Sequence, residues 1–252
     1  MTNRNEEILL EVKNLSTYYQ QGQGLLFTSK KQKQVCKEIS FSIKRGEVVG
    51  LLGESGSGKT TLAKAITGIT RNHTGEISLY CNRPQMIFQD PYGSLNPAKK
   101  VLWTLEEPLR IQGNSSKAQI RKKAFEMLEQ VGLEQKIAER YPSQLSGGQR
   151  QRVCIAEALM LDPKLLIADE PVSALDVTIQ AQIIRLLLKL HRDRNLSILF
   201  ISHDLRVIYQ MCDRALVMRD GQIVEEGEVS TLYSHPTNAY TRQLLEAAGI
   251  SQ

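Results

Sequence analysis

One glycine-rich segment, Gly53-Glu-Ser-Gly-Ser-Gly-Lys-Thr60, carries the residue types that bind a phosphate chain. It lies between a short apolar run, Glu47–Leu52, and a helical pattern over Lys59–Thr67 that Gly68 ends. Glycines let backbone N–H groups turn inward around phosphates, while Lys59 can reach the terminal oxygens and Thr60 can bind Mg²⁺. The segment therefore predicts a nucleotide-phosphate site. The candidate contact residues are Gly53, Glu54, Ser55, Gly56, Ser57, Gly58, Lys59, Thr60 and Thr61.

A pair of acids follows a second apolar run, Leu165-Leu-Ile-Ala-Asp169-Glu170. A buried strand that ends in an acid brings a carboxylate to the edge of the sheet, beside the glycine-rich loop. Asp169 is then expected in the Mg²⁺ shell, and Glu170 is expected to orient or deprotonate an attacking water. Such a pair alone is usually an exposed loop, but together with the glycine-rich loop it indicates phosphoryl chemistry.

A second glycine-rich turn, Leu145-Ser-Gly-Gly-Gln149, precedes a helical run with apolar residues at Val153, Ile155, Ala156 and Leu159. Ser146 is a good N-cap residue, so on its own the turn is equally well explained as a helix cap. The N-terminus of a helix also attracts anions. The chain thus has two phosphate-type sites but a single lysine-bearing loop.

Short β-rich runs alternate with helical patterns along the chain, which predicts an α/β fold. An exposed polar loop is expected over Gln20–Lys33, and a helix over about Val177–Leu190 with Asp176 as its N-cap. The predicted strands are Ile8–Leu15, Ile39–Lys44, Glu47–Leu52, Lys164–Ala168 and Ser197–Ile201.

Residues 95–145 have a different character, because helical spacing replaces the strand-like runs. Gly132 supplies a helix stop after a set of apolar residues spaced three or four apart. We therefore expect one domain in three parts: residues 1–94 with the glycine-rich loop, a helical part over residues 95–160, and residues 161–252. The spaced apolar residues are Ile120, Ala124, Met127, Leu128 and Val131.

The composition is that of an ordinary globular chain of 252 residues, with 41% hydrophobic and 23% charged residues. The longest apolar stretches, around Ile183–Leu190 and Leu196–Ile201, fall short of the ~18 residues that a membrane-spanning helix needs. The polar, acidic start Met1–Glu7 is unlike a secretion signal. We therefore expect a chain that stays in the cytoplasm and does not itself cross a membrane.

The net charge of +5 and the pI near 9.0 are too small and too dispersed to indicate a nucleic-acid partner, and none is expected. The four cysteines are far apart and form no CxxC pair, so reduced thiols are expected instead of a metal or disulfide site. They are Cys36, Cys81, Cys154 and Cys212.

Taken together, the glycine-rich loop, the acid pair and the LSGGQ turn resemble an ABC ATPase over nearly the whole chain. The resemblance implies a P-loop NTPase (RecA-like) core with an antiparallel β subdomain and a helical subdomain. It implies ATP and Mg²⁺ as ligands and hydrolysis of the ATP. In this family the LSGGQ signature completes the ATP site of the opposing subunit in a head-to-tail dimer. The signature residues here are Ser146, Gly147, Gly148 and Gln149.

Other positions match the family's motifs one by one. Gln89 in Met-Ile-Phe-Gln-Asp matches the Q-loop, whose glutamine binds Mg²⁺ and connects the ATP site to the membrane subunits. Asp176 matches the D-loop at the dimer seam, and His203 matches the histidine that contacts the γ-phosphate. Tyr19 matches the aromatic residue that stacks on adenine, although Tyr18 could take that role.

Four segments give a narrower resemblance, to the second ATPase of oligopeptide, dipeptide and nickel importers. The partners implied are two membrane permeases, a related second ATPase in a heterodimer, and an extracellular solute-binding protein reached through the permeases. The implied location is the cytoplasmic face of the membrane, and the implied cargo is a peptide or a nickel or metal chelate. The segments are Gln89–Pro97, Tyr141–Gln144, Asp169–Asp176 and His235–Leu245.

The chain departs from that group at three places, none of which belongs to the ATP chemistry. The stretch Gly75–Gln85 is short, as in the nickel and metallophore branch, and Glu157 replaces a common arginine. The tail reads His-Pro-Thr-Asn-Ala-Tyr-Thr where HPYT is usual. An ABC exporter would share the catalytic motifs and remains an alternative. A soluble ABC ATPase acting on DNA or ribosomes fits less well, because the chain lacks a second cassette, long heptads and cysteine clusters.

Overall fold

Two β-sheets of different construction organise the part of the chain that the computed structural model describes, residues 7–21 and 31–250. One is a three-stranded antiparallel sheet in the order β2-β1-β4, and the other has six strands in the order β5-β6-β7-β3-β8-β9. The larger sheet is parallel except for the pairing of β8 with β9. The strands are β1 Ile8–Gln21, β2 Lys31–Lys44, β3 Val48–Leu52, β4 His73–Leu79, β5 Gln85–Ile87, β6 Leu165–Asp169, β7 Ser197–Ser202, β8 Arg214–Arg219 and β9 Gln222–Glu228.

The strands β3, β6 and β7 are buried at every residue. Continuous apolar runs of this kind are typical of parallel strands with both faces covered. Since β7 lies between β3 and β6, the carboxyl ends of all three meet at one edge of the sheet. Ligands of open parallel sheets bind outside that edge. A ligand site is therefore expected near the residues that follow Leu52, Asp169 and Ser202.

Helices pack around the larger sheet and also form a separate group between β5 and β6. Two short 3-10 turns, Gln135–Glu139 and Pro142–Gln144, lead into α5. The helices are α1 Lys59–Ile66, α2 Pro91–Ser94, α3 Val101–Gln112, α4 Lys117–Gln130, α5 Gly147–Leu159, α6 Val177–Arg194, α7 Leu205–Met211, α8 Val229–Ser234 and α9 Ala239–Ala247.

The predicted fold class is confirmed by this combination of sheets and helices, and two predicted caps are confirmed in detail. Ser146 begins α5 with a reciprocal capping box to Gln149. The Asp176 carboxylate accepts the Ile179 backbone N–H at 3.0 Å and begins α6. Each side chain satisfies a helix N–H that would otherwise have no partner.

The loop predicted over Gln20–Lys33 is too long, because β1 continues to Gln21 and β2 begins at Lys31. The residues added to the strands are polar, yet their backbones pair in the ladder, with Tyr18 opposite Gln34 and Tyr19 opposite Lys33. Backbone pairing needs no apolar side chain, so hydrophobic runs mark only part of a strand. Residues 22–30 of the predicted loop lie outside the described residues.

Within the described ranges, no helix is both long enough and apolar enough to cross a membrane. The four cysteines are free thiols in this structure, and two of them, Cys36 and Cys154, are buried.

Candidate active site

The glycine-rich loop runs from the end of β3 into α1, at the carboxyl edge of the parallel sheet. Two positions of this loop require glycine, one because a side chain would clash there and the other because of its backbone conformation. A Cβ on Gly53 would lie 2.2 Å from the Met218 carbonyl oxygen. Gly58 caps α1 in a left-handed conformation, with φ of 110°. The loop is therefore shaped so that only glycine fits where the backbone passes closest to β8 and turns into the helix.

Lys59 is buried at the start of α1, and its ammonium group lies over the loop. It donates hydrogen bonds to the carbonyl oxygens of Gly53 at 2.7 Å and Glu54 at 2.8 Å. Burial lowers the pKa of Lys59, and the nearby carboxylates of Glu170 and Asp169 oppose that shift. A buried cation beside a concave loop of backbone N–H groups favours an anionic ligand.

Asp169 ends β6 and is only 2% exposed. Burial raises the pKa of this carboxyl, and the neighbouring Thr60 hydroxyl opposes the rise. Its Oδ1 atom has no hydrogen-bond partner among the described residues, which is unusual for a buried carboxylate oxygen. An unpaired buried oxygen next to a hydroxyl fits a hard cation such as Mg²⁺.

The described residues contain no group of three His, Cys, Asp or Glu side chains that could hold a metal ion alone.

Glu170 holds both of its carboxylate oxygens close to polar groups from other parts of the chain. Gln89 donates to Oε2 at 2.9 Å, and His203 Nδ1 lies 3.3 Å from Oε1. The backbone of Glu170 has a φ of 47°, in the left-handed region that non-glycine residues seldom adopt. Its amide N–H bonds to the Ile201 carbonyl of β7, which ties the turn to the sheet. Such strained backbone, held by its surroundings, is common at functional sites.

These groups border one cavity of about 630 Å³, a size typical of small-molecule sites. The sequence-predicted residues that line it are Gly53, Glu54, Ser55, Gly56, Gly58, Lys59, Thr60, Thr61, Gln89, Glu170 and His203. Ser57 and Asp169 are buried and are not among the residues that line it.

The signature residues Ser146, Gly147, Gly148 and Gln149 do not line this cavity, and neither does Asp176. They lie close to one another instead: a Cβ on Gly148 would come within 2.7 Å of Ile179, in the first turn of the helix that Asp176 caps. Next to them, the Arg150 guanidinium stacks 3.7 Å from the centre of the Tyr92 ring. The described chain therefore presents a second glycine-rich site apart from the lysine-bearing loop.

Tyr19, predicted to stack on adenine, lies near the C-terminal end of β1 and is 45% exposed. It is not among the residues that line the cavity. Tyr18 is not among them either. The neighbouring strand β2 contributes Val35 to the cavity wall. The adenine contact of Tyr19 thus stays a prediction.

Sequence reasoning missed the lining residues Val35, Leu52 and Leu244, and it also missed Tyr240, which contacts the glycine-rich loop from α9. The Tyr240 hydroxyl accepts the Glu54 backbone N–H at 3.3 Å, and Leu244 lines the cavity. The available signal was their spacing of four residues within the tail motif, which puts both side chains on one face of a helix. That spacing does not reveal which surface the face meets.

The chain is similar in sequence to ATP-binding proteins of transport systems. The sequence profile of the family described as "ABC transporter" matches residues 36–173. The "Dipeptide transport ATP-binding protein DppF" of Escherichia coli is 41% identical over 96% of this chain and 77% of its own length. The "Oligopeptide transport ATP-binding protein OppF" of Haemophilus influenzae is 41% identical over 98% of this chain and 80% of its own length.

Solved structures of ABC cassettes have the same fold. The "Dimeric Structure of MJ0796, a Bacterial ABC Transporter Cassette" has a TM-score of 0.76 at 30% identity, covering 88% of this chain and 99% of that one. A "cbiO1 from clostridium perfringens", described as part of the ABC transporter complex cbiONQ, has a TM-score of 0.76 at 27% identity over 96% of each chain.

Proposed function

This chain belongs to the ABC transporter family and is one of its ATPases, and from that premise we propose that it powers the import of peptides. The observation that carries the ATP-hydrolysis part of this proposal is the Glu170 carboxylate, placed between Gln89 and His203 at the cavity that the lysine-bearing loop borders. A carboxylate oriented on both oxygens beside a phosphate-binding loop is suited to activating water for attack on a terminal phosphate.

In this proposal, different residues of the site bind the phosphates, hold Mg²⁺ and activate the attacking water. The backbone N–H groups of Gly53–Thr61 and the Lys59 ammonium bind the phosphates of ATP. Thr60, Asp169 and Gln89 would hold Mg²⁺, which supplies charge neutralisation at the phosphates when bound. Glu170 orients or deprotonates the water, while His203 and Gln89 fix the direction of its carboxylate.

The signature residues belong, in this proposal, to the site of a second ABC ATPase in a head-to-tail pair. Two observations support it: Ser146–Gln149 lie outside the cavity of their own chain, and one of the structural relatives is described as dimeric. The partner is a related ATPase rather than a second copy, as in the importers that the tail motif resembles. Asp176 and the adjacent loop lie at the seam of that pair.

Import of peptides is supported by the relatives, which are named as dipeptide and oligopeptide transport ATP-binding proteins. An ATP-binding subunit of this kind acts on separate membrane permeases, so we place the chain at the cytoplasmic face of the membrane as a peripheral subunit. A solute-binding protein outside the membrane would deliver the peptide to the permeases. Nickel or a metal chelate is the second candidate cargo, favoured by the short Gly75–Gln85 stretch.

Replacing Glu170 by Gln tests the catalytic role directly. The amide keeps the size and the two neighbours of the side chain but cannot accept a proton, so hydrolysis should fall by ~10²-fold or more. ATP affinity should stay within a few-fold of the wild type, because Lys59 and the glycine-rich loop are untouched. Phosphate release and equilibrium ATP binding are the two measurements. Near-normal turnover would refute the assignment of Glu170.

The same variant serves as the matched control for the transport proposal. A strain that lacks this chain should lose uptake of labelled dipeptides or oligopeptides, and the wild-type gene should restore it while the Glu170→Gln gene does not. Labelled nickel is tested in parallel. Loss of nickel uptake alone would replace the peptide assignment, and normal uptake of both with a defect in efflux would indicate an exporter.

A further inference from the structure

The tail helix α9 touches the nucleotide loop, and from this contact we infer that Tyr240 is a positioning residue of the ATP site. The inference rests on the proposed role of residues 53–61 as the phosphate-binding loop. It extends that site to a part of the chain that carries none of its sequence motifs.

Glu54 is the point at which the loop is held. Its backbone N–H donates to the Tyr240 hydroxyl oxygen at 3.3 Å. Its carbonyl oxygen accepts from the Lys59 ammonium at 2.8 Å and from the Ser57 backbone N–H at 3.3 Å. Both peptide groups that flank the Glu54 Cα are thereby fixed, one by the tail and one by the lysine that binds phosphate. A shift of the Tyr240 hydroxyl would move the same residue on which Lys59 rests.

Tyr240 is itself firmly placed. It is 5% exposed, and the Arg219 guanidinium lies 4.7 Å from the centre of its ring. Asn238 caps α9 by accepting the Tyr240 backbone N–H at 2.8 Å. The ring, the backbone and the hydroxyl of Tyr240 each have a contact, so the side chain has little conformational freedom. A residue that positions another group must itself be fixed in this way.

The start of α9 is tied to the larger sheet through β9. The Glu225 carboxylate accepts the backbone N–H groups of Thr237 at 2.7 Å and Asn238 at 3.2 Å. Burial tends to raise the pKa of Glu225, but the hydrogen bonds from this segment prevail and lower it. The tail helix is therefore anchored to the same sheet that carries the glycine-rich loop.

One helical turn after Tyr240, Leu244 lines the cavity together with Lys59 and Glu170. Residues four apart share a face of a helix, so α9 presents both side chains to the site at once. The hydroxyl supports the loop and the leucine forms part of the cavity wall. Both observations point to the same function, which is to hold the shape of the phosphate-binding loop.

The test uses the full-length chain and Tyr240→Phe, which keeps the ring and its packing against Arg219 and removes only the hydroxyl. Loss of one such hydrogen bond should weaken binding of a fluorescent ATP analogue roughly three- to tenfold. The matched control is Tyr233→Phe in α8, whose hydroxyl donates to the Leu205 carbonyl away from the cavity. That control should lower the melting temperature and leave the affinity unchanged.

An affinity of Tyr240→Phe within twofold of the wild type would overturn the inference. Equal loss of affinity in the Tyr240 and Tyr233 variants would overturn it too, because a general loss of stability would then explain both. Lys59→Ala separates the inference from the site on which it rests, since it should abolish binding. If Lys59→Ala bound normally, the phosphate-binding role of the loop would itself be wrong.

Discussion

Glu157 is an unusual residue in the helical group between β5 and β6, because it is an acid that is largely withdrawn from solvent next to another acid. Burial raises the pKa of Glu157 to about 7, and the charge of Glu107 adds to the rise. The two residues come from α5 and α3, which pack together. The two carboxylates repel each other once both are ionised.

The raised pKa predicts how stability depends on pH. The folded chain keeps the Glu157 proton up to about pH 7, whereas the unfolded chain loses it near 4.5. Stability from this group is therefore present below the lower value and is lost as pH rises through the higher one. Glu157→Gln cannot ionise and should be more stable than the wild type above pH 7, by about 1 to 3 kcal/mol.

Urea unfolding at pH 4 and pH 8 measures this difference, which should be near zero at pH 4, below both pKa values, and largest at pH 8. The exposed Glu246 in α9 provides the control, since Glu246→Gln should change stability little at either pH. A gain from Glu157→Gln of equal size at both pH values would contradict the predicted ionisation.

Single residues of the site differ in how far the sequence could predict them. Lys59, Thr60 and Asp169 follow from short motifs, because the loop and the strand that place them are local in sequence. The meeting of Gln89, Glu170 and His203 depends on β5, β6 and β7 being neighbours in one sheet, which no local pattern encodes. Tyr240 could not be assigned at all, since its contact with Glu54 joins residues 186 positions apart.

At the scale of elements, helix starts and buried strands were predicted better than exposed strands, although α6 ends at Arg194 and not at the predicted Leu190. A side-chain cap such as Ser146 or Asp176 depends on only one or two residues, and these can be recognised in the sequence. For this reason α5 and α6 begin where the sequence predicts. No comparable sequence signal identifies the polar ends of β1 and β2 or the more exposed strands β4 and β9. These segments become strands because their backbones pair with a neighbouring strand. Tertiary pairing therefore decides what propensity leaves open.

The contact of α5 with α6 gives a prediction at this scale. A Cβ on Gly148 would come within 2.7 Å of the branched side chain of Ile179, whereas one on Gly147 would meet Leu175 at an ordinary 3.5 Å. Gly148→Ala should thus destabilise the fold by about 1 to 3 kcal/mol through overpacking. Gly147→Ala, in the same helical turn, should be neutral or slightly stabilising.

A double-mutant cycle with Ile179→Ala locates the cause of the Gly148→Ala effect. Truncating Ile179 makes room for the new methyl group, so the double variant should be more stable than the sum of the single changes predicts, by about 1 kcal/mol. Chemical denaturation of the four proteins provides the measurement. Strict additivity would mean that the clash with Ile179 is not what destabilises Gly148→Ala.

For the whole molecule, the central question is why one chain carries two glycine-rich turns, each at the start of a helix. The loop with Lys59 has its own acids, histidine and cavity, while Ser146–Gln149 have a helix N-terminus and no lysine. Both turns lie at a helix N-terminus, but Ser146–Gln149 border no part of the cavity of their own chain. A head-to-tail pair would bring the two kinds of site together at its seam, so the symmetry of the assembly, and not the fold of one chain, would complete the active site.

In a head-to-tail pair, variants of Lys59 and Ser146 should lose different steps. Lys59→Ala should abolish ATP binding by the isolated chain, since the cation belongs to its own cavity. Ser146→Arg should bind ATP with nearly wild-type affinity, yet hydrolysis should fail because the larger side chain blocks closure against the partner. Ser146→Ala measures the stability lost with the helix cap alone, about 1 kcal/mol. ATP titration of each chain, followed by phosphate release in the assembled complex, separates the steps. Equal loss of ATP binding in the Lys59 and Ser146→Arg chains would mean that the signature serves its own chain, and the head-to-tail arrangement would have to be abandoned.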